Sequence, residues 1–134
     1  MAFVAVCLLI AALLPHVMLL ASGWPSRTVP ARWGKGWDHH DVRASAERLQ
    51  GWRRRAHQAQ LNGHESFAPF AAALIVAQLA HVAPAWVHAL AVAFLLMRVA
   101  HAICFVADWA LARSLVWIAG AVCVAGLFVA AAVA

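Results

Sequence analysis

Four largely apolar stretches, each long enough to cross a lipid bilayer, constrain this chain more than any other feature. They cover about residues 2–21, 60–83, 85–107 and 113–134. About 20 apolar residues in an α-helix span the hydrocarbon core of a membrane. Only 11% of the residues are charged and 66% are hydrophobic, whereas soluble domains have about 25% charged residues. We therefore predict one all-α domain, residues 1–134, that forms an integral membrane four-helix bundle in contact with the lipid bilayer.

The charge of the chain is concentrated in one polar loop, residues 22–55. Eight of the ten Lys and Arg residues lie between positions 27 and 55, and this loop carries the whole formal net charge of +5. Loops rich in Lys and Arg stay on the cytoplasmic side of a membrane. We expect a bacterial inner-membrane protein with this loop in the cytoplasm and both termini outside. Topology and anionic lipid head groups explain the positive charge, so no nucleic-acid partner is expected.

The cysteines and the histidine-rich part of the loop do not predict a metal site. The three cysteines fall inside apolar spans and form no CxxC pair, which is typical of small buried hydrophobic residues. They are Cys7, Cys104 and Cys123. His39 and His40 are adjacent, so they lack the i, i+4 spacing of a helical metal site. We expect no resident metal.

The eight histidines leave a haem or quinone site as one alternative. His57 and His64 are seven residues apart, and so are His81 and His88. Residues at this spacing share a helix face. Such histidines are also typical of membrane interfaces and hydrogen-bond networks. A haem site would give the purified protein a Soret absorption band.

Two stripes of polar and aromatic residues lie in the second and third predicted helices. The first stripe consists of Arg55, Gln58, Asn62 and Glu65. The second consists of Phe94, Arg98, His101, Phe105 and Asp108. Neighbours within each stripe are three or four positions apart, which places them on one helical face. From position 44 the helical pattern continues without an obvious break into the second span, so we expect one long second helix.

The two stripes are expected to meet in the cytoplasmic half of the membrane. Counted along the helices from the connection near Pro84, Glu65 and His101 lie roughly 28 and 26 Å away, nearly at one level. A charge at this depth costs roughly 2.5–3.5 kcal/mol and therefore needs a partner or a function. One interpretation is structural, with Arg98 paired to Glu65 or Asp108. The other is a pocket for a small anion with an amino group, since arginine recognises carboxylates and Glu65 suits an ammonium.

Both stripes resemble signatures of one family, the membrane-associated proteins in eicosanoid and glutathione metabolism (MAPEG). The sequence RRRAHQAQLNGHESFAPF, residues 53–70, is similar to the second-helix signature of Arg-Ala, Asn-x-x-Glu and Pro-Phe. The sequence RVAHAICFVADWALARS, residues 98–114, resembles the third-helix signature, which ends on an arginine opening the last helix. The length, the four spans and the long first loop also agree. The resemblance covers essentially the whole chain and is closest to the short bacterial branch.

This resemblance implies a homotrimer that binds glutathione between protomers near the cytoplasmic face. Glutathione would be the thiol cosubstrate of a transferase or peroxidase that acts on lipophilic small molecules. Two residues match cations that stabilise the thiolate, Arg98 and Arg113. Three residues match positions that hold the peptide, Asn62, Glu65 and His101, and Arg55 is expected to hold the peptide with them.

Two positions depart from the family pattern. Gln58 stands four residues before Asn62, where eukaryotic members usually carry arginine, and Arg55 is the nearest replacement on that face. Phe105 stands where the characterised enzymes often carry tyrosine, and this chain has no tyrosine. A phenol therefore cannot stabilise the thiolate. The departures keep open a second function, a non-catalytic membrane scaffold or lipid-binding protein with the same fold.

Overall fold

The computed structural model describes residues 1–22 and 40–134 of the chain, and these ranges form helices joined by short connections. The helices are α1 (Ala2–Ala21), α2 (Val42–Glu47), α3 (Gly51–Leu79), α4 (Pro84–Ala107) and α5 (Ala110–Ala132). The all-α prediction is confirmed for the described ranges. The prediction that His39 and His40 form no metal site involves His39, which lies outside these ranges.

Three helices in the described ranges are long and apolar enough to cross a membrane, namely α1, α4 and α5. Their bounds agree to within about three residues with the predicted stretches 2–21, 85–107 and 113–134. Helix α3 has 29 residues, but polar side chains in its middle, including Asn62 and Glu65, lower its hydropathy. That α3 is a fourth span stays a prediction.

The helix is interrupted between α2 and α3, where the sequence predicts one continuous helix. Asp41 caps α2, since its Oδ1 accepts a hydrogen bond of 3.0 Å from the backbone N–H of Ala44. Helix α2 then ends at Glu47, and α3 begins only at Gly51. Gly51 has a φ of 57°, a left-handed conformation that glycine adopts without steric cost. This glycine was the sequence signal for the break.

Helices α3 and α4 form the centre of the fold and run antiparallel, as their short connection predicts. Asn62 of α3 contacts Arg98 of α4, whereas Phe70 contacts Phe94, so rising positions on α3 meet falling positions on α4. Helix α1 packs against one side of this pair and α5 against the other. The backbones of the two outer helices, both fully described, do not approach each other closely.

The apolar core between these helices combines one aromatic pair with small residues. The rings of Phe70 and Phe94 are buried and stacked, with centroids 4.0 Å apart and an interplanar angle of 8°. Such a pair contributes about 0.5–1.5 kcal/mol beyond the area that it buries. Ala73, Ala77 and Ala91 are fully buried around it. Small residues let helix backbones approach closely, which is how membrane helices gain packing energy.

Arg55 ties α3 to the turn between α4 and α5. Its Nε donates a hydrogen bond of 3.1 Å to the carbonyl of Val106, and its Nη1 lies 3.5 Å from Oδ2 of Asp108. The last carbonyls of a helix have no partner within it, so Arg55 satisfies one of them. The backbone of Asp108 has a left-handed conformation, with a φ of 65°. Only Asp108 and Trp109 separate α4 from α5. Arg55 thereby fixes the point from which α5 departs.

Replacing Arg55 with Met should lower the free energy of unfolding by about 1–3 kcal/mol, because a charged hydrogen bond to a carbonyl is lost. Asp108→Asn should cost less than about 1 kcal/mol, since the ion pair is exposed and Asn tolerates the left-handed backbone. Arg54→Met changes the exposed neighbouring arginine and is the matched control, expected to be neutral. Thermal unfolding in one detergent compares the three variants. Equal losses for the Arg55 and Asp108 variants would show that the ion pair, and not the carbonyl, holds the turn.

Candidate functional site

A groove of about 220 Å³ opens between α3 and α5, with α4 as its floor. The wall from α3 is mostly polar and includes Asn62, Glu65 and Ser66. The wall from α5 is apolar and includes Trp117, Ala121 and Val124. The side chains of Phe94 and Arg98 form the buried floor. A ligand in this groove would contact polar groups on one side and apolar groups on the other.

Arg98 is a buried cation in the floor of the groove, with 7% of its surface exposed. Its Nη2 donates a hydrogen bond of 2.8 Å to Oδ1 of Asn62. The same nitrogen lies 3.4 Å from Nδ1 of His101, which accepts when the imidazole carries its proton on Nε2. Both partners are then neutral, and within residues 1–22 and 40–134 no carboxylate forms an ion pair with Arg98. The positive charge is therefore buried without a compensating anion from residues 1–22 or 40–134.

Glu65 lies on the rim of the same groove, on the face of α3 that also carries Asn62. Its side chain is exposed, and in the described part of the chain its carboxylate has no hydrogen-bond or ion-pair partner. Among the described residues Arg98 thus pairs with neither Glu65 nor Asp108, contrary to the structural interpretation. Asp108 forms an ion pair with Arg55, whereas Arg98 donates a hydrogen bond to the neutral amide of Asn62.

Ring contacts connect Arg98 to Arg113 in the first turn of α5. The His101 ring meets the Phe105 ring edge-on, with centroids 5.4 Å apart and planes at 74°. The guanidinium carbon of Arg113 then lies 4.5 Å from the centre of the Phe105 ring, a cation–π contact. Phe105 thus separates the two cationic side chains and has no hydroxyl to donate. Arg113 is half-buried and does not line the groove.

The structure brings most of the predicted site residues together. Three form one hydrogen-bonded cluster, Asn62, Arg98 and His101. Glu65 lies at the rim of the adjoining groove, and Arg113 joins the cluster through ring contacts. Arg55 lies apart from them, because its guanidinium is bound to the α4–α5 turn. The functional roles of all six residues stay predictions.

The groove also contains two polar or aromatic residues that were not predicted from the sequence. Ser66 is four positions after Asn62, and its hydroxyl donates a hydrogen bond of 2.7 Å to the Asn62 carbonyl. Trp117 is exposed at the rim and four positions after Arg113. Spacings of four put both residues on faces that already carried candidates. Helical periodicity was therefore the signal that would have found them.

The comparison with protein families agrees with this architecture and with the apolar helices. The model of the MAPEG family matches residues 3–133, nearly the whole chain. No curated protein and no solved structure matches the chain. The match and the three apolar helices together lead to one conclusion: the chain belongs to the MAPEG family and is an integral membrane protein.

Proposed function

We propose that this MAPEG protein binds glutathione in the groove and presents its thiolate to lipophilic electrophiles or peroxides within the bilayer. The observation that carries the proposal is the charge arrangement of Arg98 and Glu65. Arg98 is buried with neutral partners, and Glu65 is exposed without any partner in the described residues. Glutathione has carboxylates for the first and an ammonium group for the second. Each charge would gain an opposite charge that no described residue supplies to it.

The chemistry proposed for the site is stabilisation of a thiolate by arginine. A thiol with a pKa near 8.5 becomes a strong nucleophile when a nearby cation favours its charged form. Arg98 or Arg113 would supply that cation, while Asn62 and His101 orient the peptide. The thiolate sulfur then attacks the electrophilic carbon, a carbon–sulfur bond forms, and the leaving group departs with its electron pair. Phe105 takes no part in proton transfer.

The apolar wall of the groove supports a lipophilic second substrate. Trp117 and Ala121 are exposed at the rim of the groove, and Val124 extends the same wall along α5. A compound dissolved among lipid tails would contact this wall while the polar peptide contacts α3. In this arrangement the glutathione sulfur would lie between the polar wall from α3 and the apolar wall from α5.

The proposed assembly is a homotrimer of four-helix protomers, with α3 as the fourth span and glutathione lying between protomers. Exposed rim residues such as Glu65 and Trp117 support this proposal, because a neighbouring protomer would cover them and complete the groove. The basic loop would face the cytoplasm, with both termini outside. For Arg55, its contacts with the turn favour a positioning role over direct binding of the peptide.

A second candidate function is a non-catalytic scaffold or lipid-binding protein that keeps this fold. The observation that favours it is Phe105, which contacts His101 and Arg113 but has no hydroxyl. Titrating the purified protein with glutathione, and assaying turnover of 1-chloro-2,4-dinitrobenzene in parallel, separates the two. Binding with turnover supports the enzyme, whereas binding without turnover supports the second candidate. The absence of binding contradicts the proposed glutathione site and leaves the scaffold or lipid-binding candidate.

Glu65→Gln should weaken glutathione binding at least tenfold while the melting temperature stays within about 2 °C, because the exposed carboxylate has no partner to lose. Arg98→Met should abolish binding and lower the melting temperature only moderately, since removing a buried charge partly offsets the lost hydrogen bond to Asn62. Glu47→Gln, an exposed carboxylate on α2, is the matched control and should behave like the parent. Calorimetric titration and thermal unfolding measure both quantities. Unchanged affinity in the Glu65 and Arg98 variants would remove both residues from the site.

The assembly makes a prediction of its own, which mass measurement checks. Light scattering or native mass spectrometry in detergent should give three copies of the 14.4 kDa chain. Arg54→Met is a useful control, because an exposed charge on α3 outside the groove should not change the mass. A protein that stays monomeric in every detergent and at every concentration would contradict the proposed second wall.

The topology is tested by labelling single cysteines in intact cells. A cysteine placed at position 36, in a variant without the three native cysteines, should react with a membrane-impermeant maleimide only after the inner membrane is opened. A cysteine at position 2 should react without that step. The reverse pattern would place the basic loop outside and the groove near the opposite membrane face.

A further inference from the structure

The contact between α1 and α3 brings two histidines together outside the groove. A Cβ added to Gly63 would lie 2.8 Å from Cγ of Pro15, so only glycine permits this close approach. The next residue on each helix is a histidine. The rings of His16 and His64 have their centroids 5.2 Å apart, with planes at 88°. Both side chains are exposed. Their relative position is set by the close contact between the Gly63 backbone and the Pro15 ring.

The hydrogen bonding of His16 determines which of its nitrogens is available. Its Nδ1 lies 3.0 Å from the carbonyl oxygen of Ala12, one turn earlier in α1. A carbonyl only accepts, so Nδ1 carries the proton and Nε2 keeps its lone pair. Metal-ligating histidines commonly donate their other ring N–H in this way, which fixes the tautomer and the ring orientation. His64 has no hydrogen-bond partner in the described residues, so its ring is free to present either nitrogen.

We propose that His16 and His64 form a binding site for a divalent transition-metal ion, such as Zn²⁺ or Ni²⁺, which links α1 to α3. With metal–nitrogen bonds of about 2.0–2.1 Å and a tetrahedral angle, two imidazole ligands have their ring centres about 5 Å apart. The observed separation of 5.2 Å matches that arrangement. Neutral imidazole is a preferred ligand of Zn²⁺, Ni²⁺ and Cu²⁺. Water would complete the coordination shell, because the described residues contain no group of three or more suitable side chains.

The neighbouring histidine of α3 provides an internal control. His57 lies on the same face of α3 as His64, but seven residues of helix separate them by about 10 Å. One ion cannot be bound by both. The edge-on contact of two neutral rings would give the same geometry without a metal, so the experiment must distinguish packing from coordination.

The test uses full-length protein with a non-histidine affinity tag in detergent, in a background where His39 and His40 are replaced by Gln. Titration with Zn²⁺ or Ni²⁺ should show one saturable ion per protomer and raise the melting temperature by several degrees at saturation, since the ion binds only the folded chain. His16→Gln and His64→Gln should each weaken binding at least tenfold. His57→Gln should bind like the parent. Zn²⁺ should also shift the imidazole NMR signals of His16 and His64 together in selectively labelled parent protein, which needs no variant to fold.

Three results would overturn the proposal. One is the absence of saturable binding by the parent in the range up to about 1 mM metal. Another is binding that survives in both the His16 and His64 variants, which would place the ion elsewhere. The third is a Zn²⁺ titration in which the signals of the two histidines do not move. In each case the ring contact is packing alone, and the proposed glutathione function is unaffected.

Discussion

The polar half of this protein depends on Arg98, a buried guanidinium whose hydrogen-bond partners among the described residues are neutral. Arg98 belongs to α4, and its hydrogen bond to Asn62 fixes how α4 and α3 align along their length. Without an anion, the amide and His101 disperse the charge only in part. The cost of burial is offset by the apolar packing of the core, which includes the stacked pair Phe70 and Phe94. The packing of the apolar half therefore stabilises a fold whose polar half contains a buried charge with neutral partners.

Much of this arrangement follows from periodicity and composition. The bounds of α1, α4 and α5 follow from apolar length alone, because a bilayer admits few other structures for such segments. The spacing of three and four residues correctly placed Asn62 and Glu65 on one face, and Arg98 and His101 on another. The antiparallel pairing of these faces followed from the short connection near Pro84. These are properties that a single helix, or one short turn, determines locally.

The partners of the charged groups could not be predicted in the same way. Counting helical rise from Pro84 treated residues 80–83 as helix, whereas α3 ends at Leu79. The count therefore moved α3 by about one turn against α4 and placed Glu65, instead of Asn62, level with His101. The left-handed backbone of Asp108 likewise brings that carboxylate towards Arg55. A pairing that depends on a few ångströms of register is a tertiary property, and one sequence does not determine it.

The separation of α1 from α5 has a consequence for how a substrate would arrive. Because α1 does not lie beside α5 in the described ranges, no residue of α1 lines the groove, and its rim residues Glu65 and Trp117 stay exposed. A hydrophobic compound could diffuse laterally into it from the lipid without first entering water. Partitioning would then concentrate the compound near the protein, and turnover would follow its mole fraction in the membrane. Two electrophiles of equal reactivity would differ in apparent KM according to their partition coefficients alone.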